Sequence, residues 1–236
     1  MKLFSKVSAL GAVLVLSTAF ASADTLTLAS YGSTGATPAG ANNSALSFTA
    51  NSTGTPLNGG ITFDLNPGGI WTNAVNTYGV QSSWVSYNVQ TQPGGSVVAP
   101  NGTYTYTTTF SDIAGENYSG TLNVMADDTV SVYLNSIAAG NLIVGNSLSS
   151  PNDNKCESNV PNCLTVDSVS YSFAGTGSDS LIFVVNQAGL VSTGVDFDAQ
   201  FTGVLRASPV PEPSTLLMLG TGLIGAAGAL RRRLTR

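Results

Sequence analysis

Between residues 24 and 205 apolar positions alternate with polar ones, which is the period of a β-strand. The clearest case is 103–110, where Tyr104, Tyr106 and Phe110 share one face and threonines fill the other. Further strands, separated by turn residues, are predicted at 24–29, 45–50, 61–65, 84–89, 122–126, 130–134, 140–144, 166–173, 180–186 and 195–205. We therefore expect an all-β fold, an antiparallel β-sandwich of jelly-roll type, better defined from about residue 60 onward.

The N-terminus has the three parts of a secretory signal peptide. Lys2 and Lys6 precede an apolar run over 7–20, and the small residues Ala21, Ser22 and Ala23 follow it. The run is shorter than the roughly 20 residues that a membrane span needs. We therefore predict that residues 1–23 are a signal peptide and that cleavage follows Ala23.

The C-terminus carries a second targeting pattern in residues 209–236. Pro211, Glu212 and Pro213 precede an apolar stretch, which predicts a transmembrane helix over about 214–230. The basic end, 231–236, holds Arg231, Arg232, Arg233 and Arg236, as is typical of a cytoplasmic flank. Because Pro213 disfavours a helical conformation at Glu212, the tripeptide is expected to be extended and open to a protease.

This order of tripeptide, helix and arginine cluster resembles the PEP-CTERM sorting signal of Gram-negative bacteria, which it matches at Pro211, Glu212 and Pro213. The resemblance implies an exosortase as processing protease, an inner-membrane intermediate, and a final location at the cell surface or in a biofilm exopolysaccharide matrix. A plain membrane anchor with an accidental Pro-Glu-Pro is the alternative. The resemblance concerns sorting and not the activity of the exported domain.

The exported domain, residues 24–208, is strongly acidic and contains no histidine. It has twelve acidic residues against Lys155 and Arg206, a formal charge of −10. Nucleic acid is excluded as a partner because phosphate binding needs clustered basic residues. Histidine-dependent catalysis and imidazole zinc sites are excluded too. Divalent cations and neutral sugars remain as partners.

Cys156 and Cys163 are the two cysteines of the chain, and they flank a short polar loop. In an exported protein they are expected to form a local disulfide bond. A redox-active pair is the alternative, but neither the spacing nor a nearby cation lowers a thiol pKa.

Adjacent carboxylates at the start of a strand, Asp127 and Asp128, put hard oxygen ligands in one place, as calcium requires. The segment resembles the Asp-Asp strand entry of galactose-binding-like modules and of flocculin lectins. That resemblance implies Asp127, Asp128 and Asn135 as ligands of a calcium ion, and the calcium ion in turn binds sugar hydroxyls. Thr129 stands where those lectins usually have glycine. The alternative is an acidic turn with a purely local role.

Two more groups are candidates for sugar chemistry. Trp71 and Tyr78, in a glycine-containing loop region, are candidates for stacking on glycan rings, with packing in the core as the alternative. Asp196 and Asp198 share one face of a predicted strand about 6.6 Å apart, a spacing that a glycosidase acid and base could use, although a solvated face is the more ordinary interpretation.

These patterns favour a non-enzymatic protein of the cell surface or matrix that binds extracellular polysaccharide, with calcium as a candidate cofactor. A ligand-free structural module of the matrix is the alternative, and a glycosidase is the third hypothesis.

Overall fold

The computed structural model describes residues 23–31, 40–65, 70–145, 162–189, 192–204 and 213–234. Ala23–Val204 form one compact unit, called the two-sheet unit below. The described part of the second unit is a single C-terminal helix. The predicted signal peptide, apart from Ala23, lies outside the described residues.

The two-sheet unit consists of antiparallel strands with short 3₁₀ turns at Asn58–Gly60 and Ala139–Asn141. The strands are β1 (Thr25–Ala29), β2 (Asn42–Asn43), β3 (Ser47–Asn51), β4 (Thr62–Leu65), β5 (Trp84–Ser86), β6 (Gly102–Ser111), β7 (Asn117–Asp127), β8 (Thr129–Leu134), β9 (Leu142–Val144), β10 (Asp167–Ala174), β11 (Ser178–Gln187) and β12 (Gly194–Val204). The larger sheet has the order β10-β7-β12-β5-β4-β2, with β1 also paired to β12. The smaller sheet has the order β3-β6-β11-β8-β9.

Apolar side chains from both sheets form one buried core. Phe197 of the larger sheet and Phe183 of the smaller sheet are fully buried, with ring centroids 4.5 Å apart. Burial of such aromatic faces is the main favourable contribution to folding. Leu46 and Phe48 are each only 1% exposed, so the prediction that the well-defined part begins near residue 60 is wrong. The buried core therefore already includes side chains that precede residue 60 in the chain.

The predicted all-β, antiparallel architecture is confirmed, and each predicted strand overlaps an observed one. The two-residue strand β2 was not predicted because it is too short to show alternation. Strand β7 begins five residues before the predicted alternation, in a segment that contains Gly120. A Cβ atom there would lie 1.9 Å from the carbonyl oxygen of Gln200, so glycine is required by close strand packing and breaks the apolar pattern. The jelly-roll and galactose-binding-like resemblance stays a prediction.

The C-terminal helix, α1, spans Pro213–Leu234. Proline at the first helical position is favourable because its missing N–H has no intrahelical partner there. The last turn contains Arg231, Arg232 and Arg233, which complement the negative end of the helix dipole. The predicted helix is confirmed, but none of the described helical residues form a helix long and apolar enough to cross a membrane.

Candidate functional site

The predicted calcium ligands Asp127 and Asp128 lie at the junction of β7 and β8, and both side chains are buried. The peptide bond between them is cis. Asp127 Oδ2 accepts a hydrogen bond from Trp71 Nε1 at 2.5 Å, and Asp128 Oδ2 accepts one from the Ala188 backbone N–H at 2.5 Å. The pair therefore fixes neighbouring segments through neutral donors.

Asn135 does not join this pair, because it follows the last residue of β8 whereas the aspartates precede the first. Asn135 is seven residue steps of extended chain from Asp128, about 23 Å at 3.3 Å per residue. The Asn135 amide instead donates to Asp179 Oδ1 at 2.6 Å and accepts from the Ser180 N–H at 2.8 Å. The predicted three-residue ligand set is not assembled. Among the described residues no three His, Cys, Asp or Glu side chains are placed to hold a metal.

Trp71 is not a surface platform, because it is only 4% exposed. Its ring stacks on that of Trp84 at a centroid distance of 4.3 Å. Of the two alternatives for this side chain, a glycan platform and packing in the core, the structure shows packing: the indole N–H binds a buried carboxylate and the ring has an aromatic partner. Tyr78 is half-buried and does not belong to this stack.

Trp71 belongs to a segment, residues 70–83, that we call the strap and that lies on the outer face of the larger sheet. Three carboxylates of that face hold it. Besides the Trp71–Asp127 contact, the Val75 N–H donates to Asp196 Oδ2 at 2.7 Å and the Thr77 N–H donates to Asp198 Oδ2 at 2.6 Å. Hydrogen bonds to an ionised acceptor are about twice as strong as neutral ones. The strap is thus tied to β7 and β12 along its length.

Apolar packing under the strap forms a second, smaller core. It consists of Leu65, Trp71, Val75, Trp84, Met125 and Cys163. The segment beginning at residue 162 supports the strap from the other side, since the Thr72 N–H donates to the Cys163 carbonyl at 3.0 Å. Cys156 lies outside the described residues, and its disulfide bond with Cys163 stays a prediction.

Asp196 and Asp198 do share one face of a strand, as their spacing predicted, but both are fully buried. Their remaining oxygens are also occupied. Asp196 Oδ1 accepts from Ser30 Oγ at 2.8 Å, and Asp198 Oδ1 accepts from Asn123 Nδ2 at 2.7 Å. These carboxylates hold protein segments together and leave no oxygen facing a substrate. Alternation of the two aspartates with apolar neighbours is typical of a strand with one solvated face, so the local pattern did not predict that the strap covers this face.

Burial raises the pKa of Asp196 to about 6, although hydrogen bonds from Val75, Ser82 and Ser30 act in the opposite direction. The nearby charge of Asp198 adds to the rise. The carboxyl group therefore takes up a proton in the folded protein at a pH where it is ionised in the unfolded chain.

A second acidic pair, Asp112 and Asp179, joins the β6–β7 turn to the β10–β11 turn. Asp112 Oδ1 accepts from the Gly177 N–H at 2.5 Å, and Asp179 accepts from Thr176 and Asn135. Burial and the adjacent Asp179 raise the pKa of Asp112 to about 6. Burial acts to raise the pKa of Asp179 too, but its hydrogen bonds, from Asp112 first, hold it below the usual value.

Beyond the strap, the described residues on the outer face of the larger sheet include exposed side chains, and none of these is charged. We call the polar part of this surface the open face; its exposed or half-buried residues are Thr25, Thr27, Ser119, Thr121, Ser168, Ser170, Ser172, Gln200 and Thr202. The exposed row of Val204, Asn117 and Ala174 adjoins it. In register, Thr27, Gln200, Thr121 and Ser170 form one row across four strands. A depression of about 470 Å³ between β7 and β10 is lined by Ser119–Thr121 and Ser170–Ser172.

Residues 209–233 match the family model of the PEP-CTERM protein-sorting motif. The match includes the predicted tripeptide, of which Pro211 and Glu212 lie outside the described residues, and the arginines at the end of α1. No curated protein matches the chain. The sorting motif implies an exported protein of a Gram-negative bacterium that an exosortase processes at the membrane. The match covers only the tail, so the function of the two-sheet unit has to be inferred from the structure of that unit.

Replacing Asp196 with Asn should flatten the pH dependence of stability. The carboxyl pKa is raised from 3.8 to about 6, so the folded state binds the extra proton and the free energy of unfolding falls as pH rises through this window. A shift of this size corresponds to about 3 kcal/mol. Urea unfolding of D196N between pH 4 and pH 7 should show a decline smaller by about that amount than in the wild type. If the free energy of unfolding falls as steeply in D196N as in the wild type, titration of other groups causes the pH dependence.

Replacing Trp71 with Phe should destabilise the protein more than the matched change Trp84→Phe. Both variants lose the same ring volume and one indole N–H donor. Trp71 donates to a buried carboxylate, whereas Trp84 donates to the Thr72 carbonyl at 2.9 Å. Bonds to charged groups contribute about 1.5–3 kcal/mol and neutral ones about 0.5–1.5 kcal/mol. Equal losses in denaturant unfolding would show that the Asp127 contact adds nothing beyond packing.

Proposed function

We propose that this is a non-catalytic structural protein of the cell surface or exopolysaccharide matrix, delivered there by its sorting tail. The observation that carries the proposal is the sorting motif at 209–233, joined to a two-sheet unit in which the described acidic pairs bind segments of the fold to one another. Asp196 and Asp198 tie down the strap. Asp112 and Asp179 join two turns.

The structural role and a glycosidase role give opposite results for the same variants. In the host, deletion of the protein should weaken cohesion of the matrix, and the wild type, D196N and D198N should all restore it. Because Asn can still accept a hydrogen bond from the strap, folding should survive in both variants. Loss of cohesion with retained folding, together with reducing ends released by the wild type alone, would assign catalysis to the pair.

The sorting step is tested separately by replacing Pro211, Glu212 and Pro213 with alanine. Since the tripeptide belongs to the matched motif, the variant should accumulate as the unprocessed form in the membrane fraction and be absent from the cell surface. Val210→Ala and Ser214→Ala, which flank the tripeptide, serve as matched controls. Normal surface delivery of the triple variant would contradict the proposal.

A second function, binding of neutral polysaccharide, is favoured by the open face. An acidic domain repels anionic polymers, so an uncharged face suits an uncharged glycan. Hydroxyl side chains repeat about 4.8 Å apart across strands and about 6.7 Å apart along them, and hydroxyl groups both donate and accept hydrogen bonds. We propose that the depression between β7 and β10 is where such a chain binds.

Placing a charge in the row across the open face should abolish this binding. Ser170→Lys inserts a long cation beside the depression, while Thr109→Lys makes the same change at an exposed position on the smaller sheet. In co-sedimentation with an insoluble neutral glucan, the Thr109→Lys variant should pellet with the glucan as the wild type does. The Ser170→Lys variant should stay in the supernatant. If the wild type itself does not sediment with neutral glycans, the ligand-free structural function stands alone.

A further inference from the structure

A buried carboxylate without a counter-charge lies where β1 begins. Glu116 is 1% exposed, and its Oε1 has no hydrogen-bond partner. This oxygen occupies the space beside Gly203, where a Cβ atom would lie only 2.3 Å from it. An ionised carboxylate buried in this way costs several kcal/mol unless a cation or donors compensate it.

The nearest donor is shared with a second carboxylate. The Tyr118 hydroxyl lies 3.4 Å from Glu116 Oε2 and 3.1 Å from Asp24 Oδ2, and it accepts the Ile113 N–H at 3.0 Å. One hydroxyl has one proton and can donate to only one of the two acids. Burial first, and the two acids with it, raise the pKa of Tyr118 to about 12, so the hydroxyl keeps that proton at neutral pH.

The described residues of the two-sheet unit offer no basic side chain to compensate the pair. Residues 23–31, 40–65, 70–145, 162–189 and 192–204 contain no Lys, Arg or His, and Lys155 and Arg206 fall outside these ranges. Another source of positive charge lies in Asp24 itself. The predicted cleavage after Ala23 would free the α-amino group of this residue.

We infer that removal of the signal peptide creates the missing cation, and that the α-ammonium of Asp24 forms an ion pair with the Glu116 carboxylate. Hydrolysis of the Ala23–Asp24 peptide bond consumes one water, leaves a carboxylate on Ala23 and leaves an amine on Asp24 that takes up a proton. A neutral amide with one N–H becomes a cation with three N–H donors.

The backbone places Asp24 against Gly203, the residue that Glu116 also contacts. The Gly203 N–H donates to the Asp24 carbonyl at 2.7 Å, which fixes Asp24 directly beside the residue against which Glu116 Oε1 packs. The Asp24 nitrogen is two bonds from that carbonyl carbon. Removal of the signal peptide thus stabilises the pairing of β1 with the end of β12 through the α-ammonium charge, which the precursor lacks.

The test is the pKa of the α-amine in the mature protein, purified from the periplasm of an expressing cell so that the signal peptide has been removed. Reductive ¹³C-methylation labels this amine and Lys155, and NMR titration resolves the two. An unperturbed α-amine titrates at about 7.7–8.0. We expect a rise of at least one unit in the wild type, a tenfold shift in proton affinity, and a return to the ordinary value in Glu116→Gln.

The stability of the mature protein should follow the same equilibrium. Since the folded-state pKa of the amine is raised, the added stability is present below about pH 8 and is lost as pH rises through the raised pKa. Arg206→Gln removes the basic side chain nearest in sequence to Gly203. This variant should leave both the amine pKa and the pH dependence of stability unchanged. Inserting one alanine between Ala23 and Asp24 moves the ammonium by up to about 3.5 Å and should reduce the shift.

Three results would each overturn the inference. The first is an amine pKa in the ordinary range that Glu116→Gln does not change. The second is an intact mass showing that the mature chain does not begin at Asp24. The third is an amine pKa that is ordinary in the wild type and rises only in Arg206→Gln, which would make the guanidinium the partner of Glu116.

Discussion

Burial of carboxylates without basic partners is the constraint that shapes this protein. The buried acids in the two-sheet unit are Asp64, Glu116, Asp127, Asp128, Asp179, Asp196 and Asp198, and the described residues of that unit contain no Lys, Arg or His. Neutral groups must therefore stabilise these charges, or the charges must be removed by protonation. Backbone N–H groups, an indole, amides and hydroxyls occupy most of the carboxylate oxygens, and each such bond positions the segment that supplies the donor.

The strap shows how this constraint organises the chain. A segment without regular secondary structure is held on a sheet because carboxylates spaced along β7 and β12 meet donors spaced along the strap. Apolar packing around Trp71 and Trp84 excludes water from the same contacts, which strengthens them. Hydrogen bonding and the second small core therefore depend on each other. Removing either should loosen the other.

The sequence predicted the parts of this protein that depend on local periodicity. Alternation identified the strands, and the sorting tail was recognised from a short ordered motif. The strap was not predicted, because its anchors lie far away in the chain: Val75 and Asp196 are 121 residues apart. The burial of Trp71 and the separation of Asn135 from Asp128 depend on such long-range placement. Residue type and spacing alone could not supply it.

The scarcity of basic residues also limits where proteases can cut the exported chain. Proteases of the trypsin class cleave after Lys or Arg, and the described residues of the two-sheet unit contain neither. Between residues 24 and 208 such an enzyme is left with the peptide bonds that follow Lys155 and Arg206. The composition that forces buried acids to rely on neutral donors thus also removes most of the sites at which a common class of secreted protease could cut the exported chain.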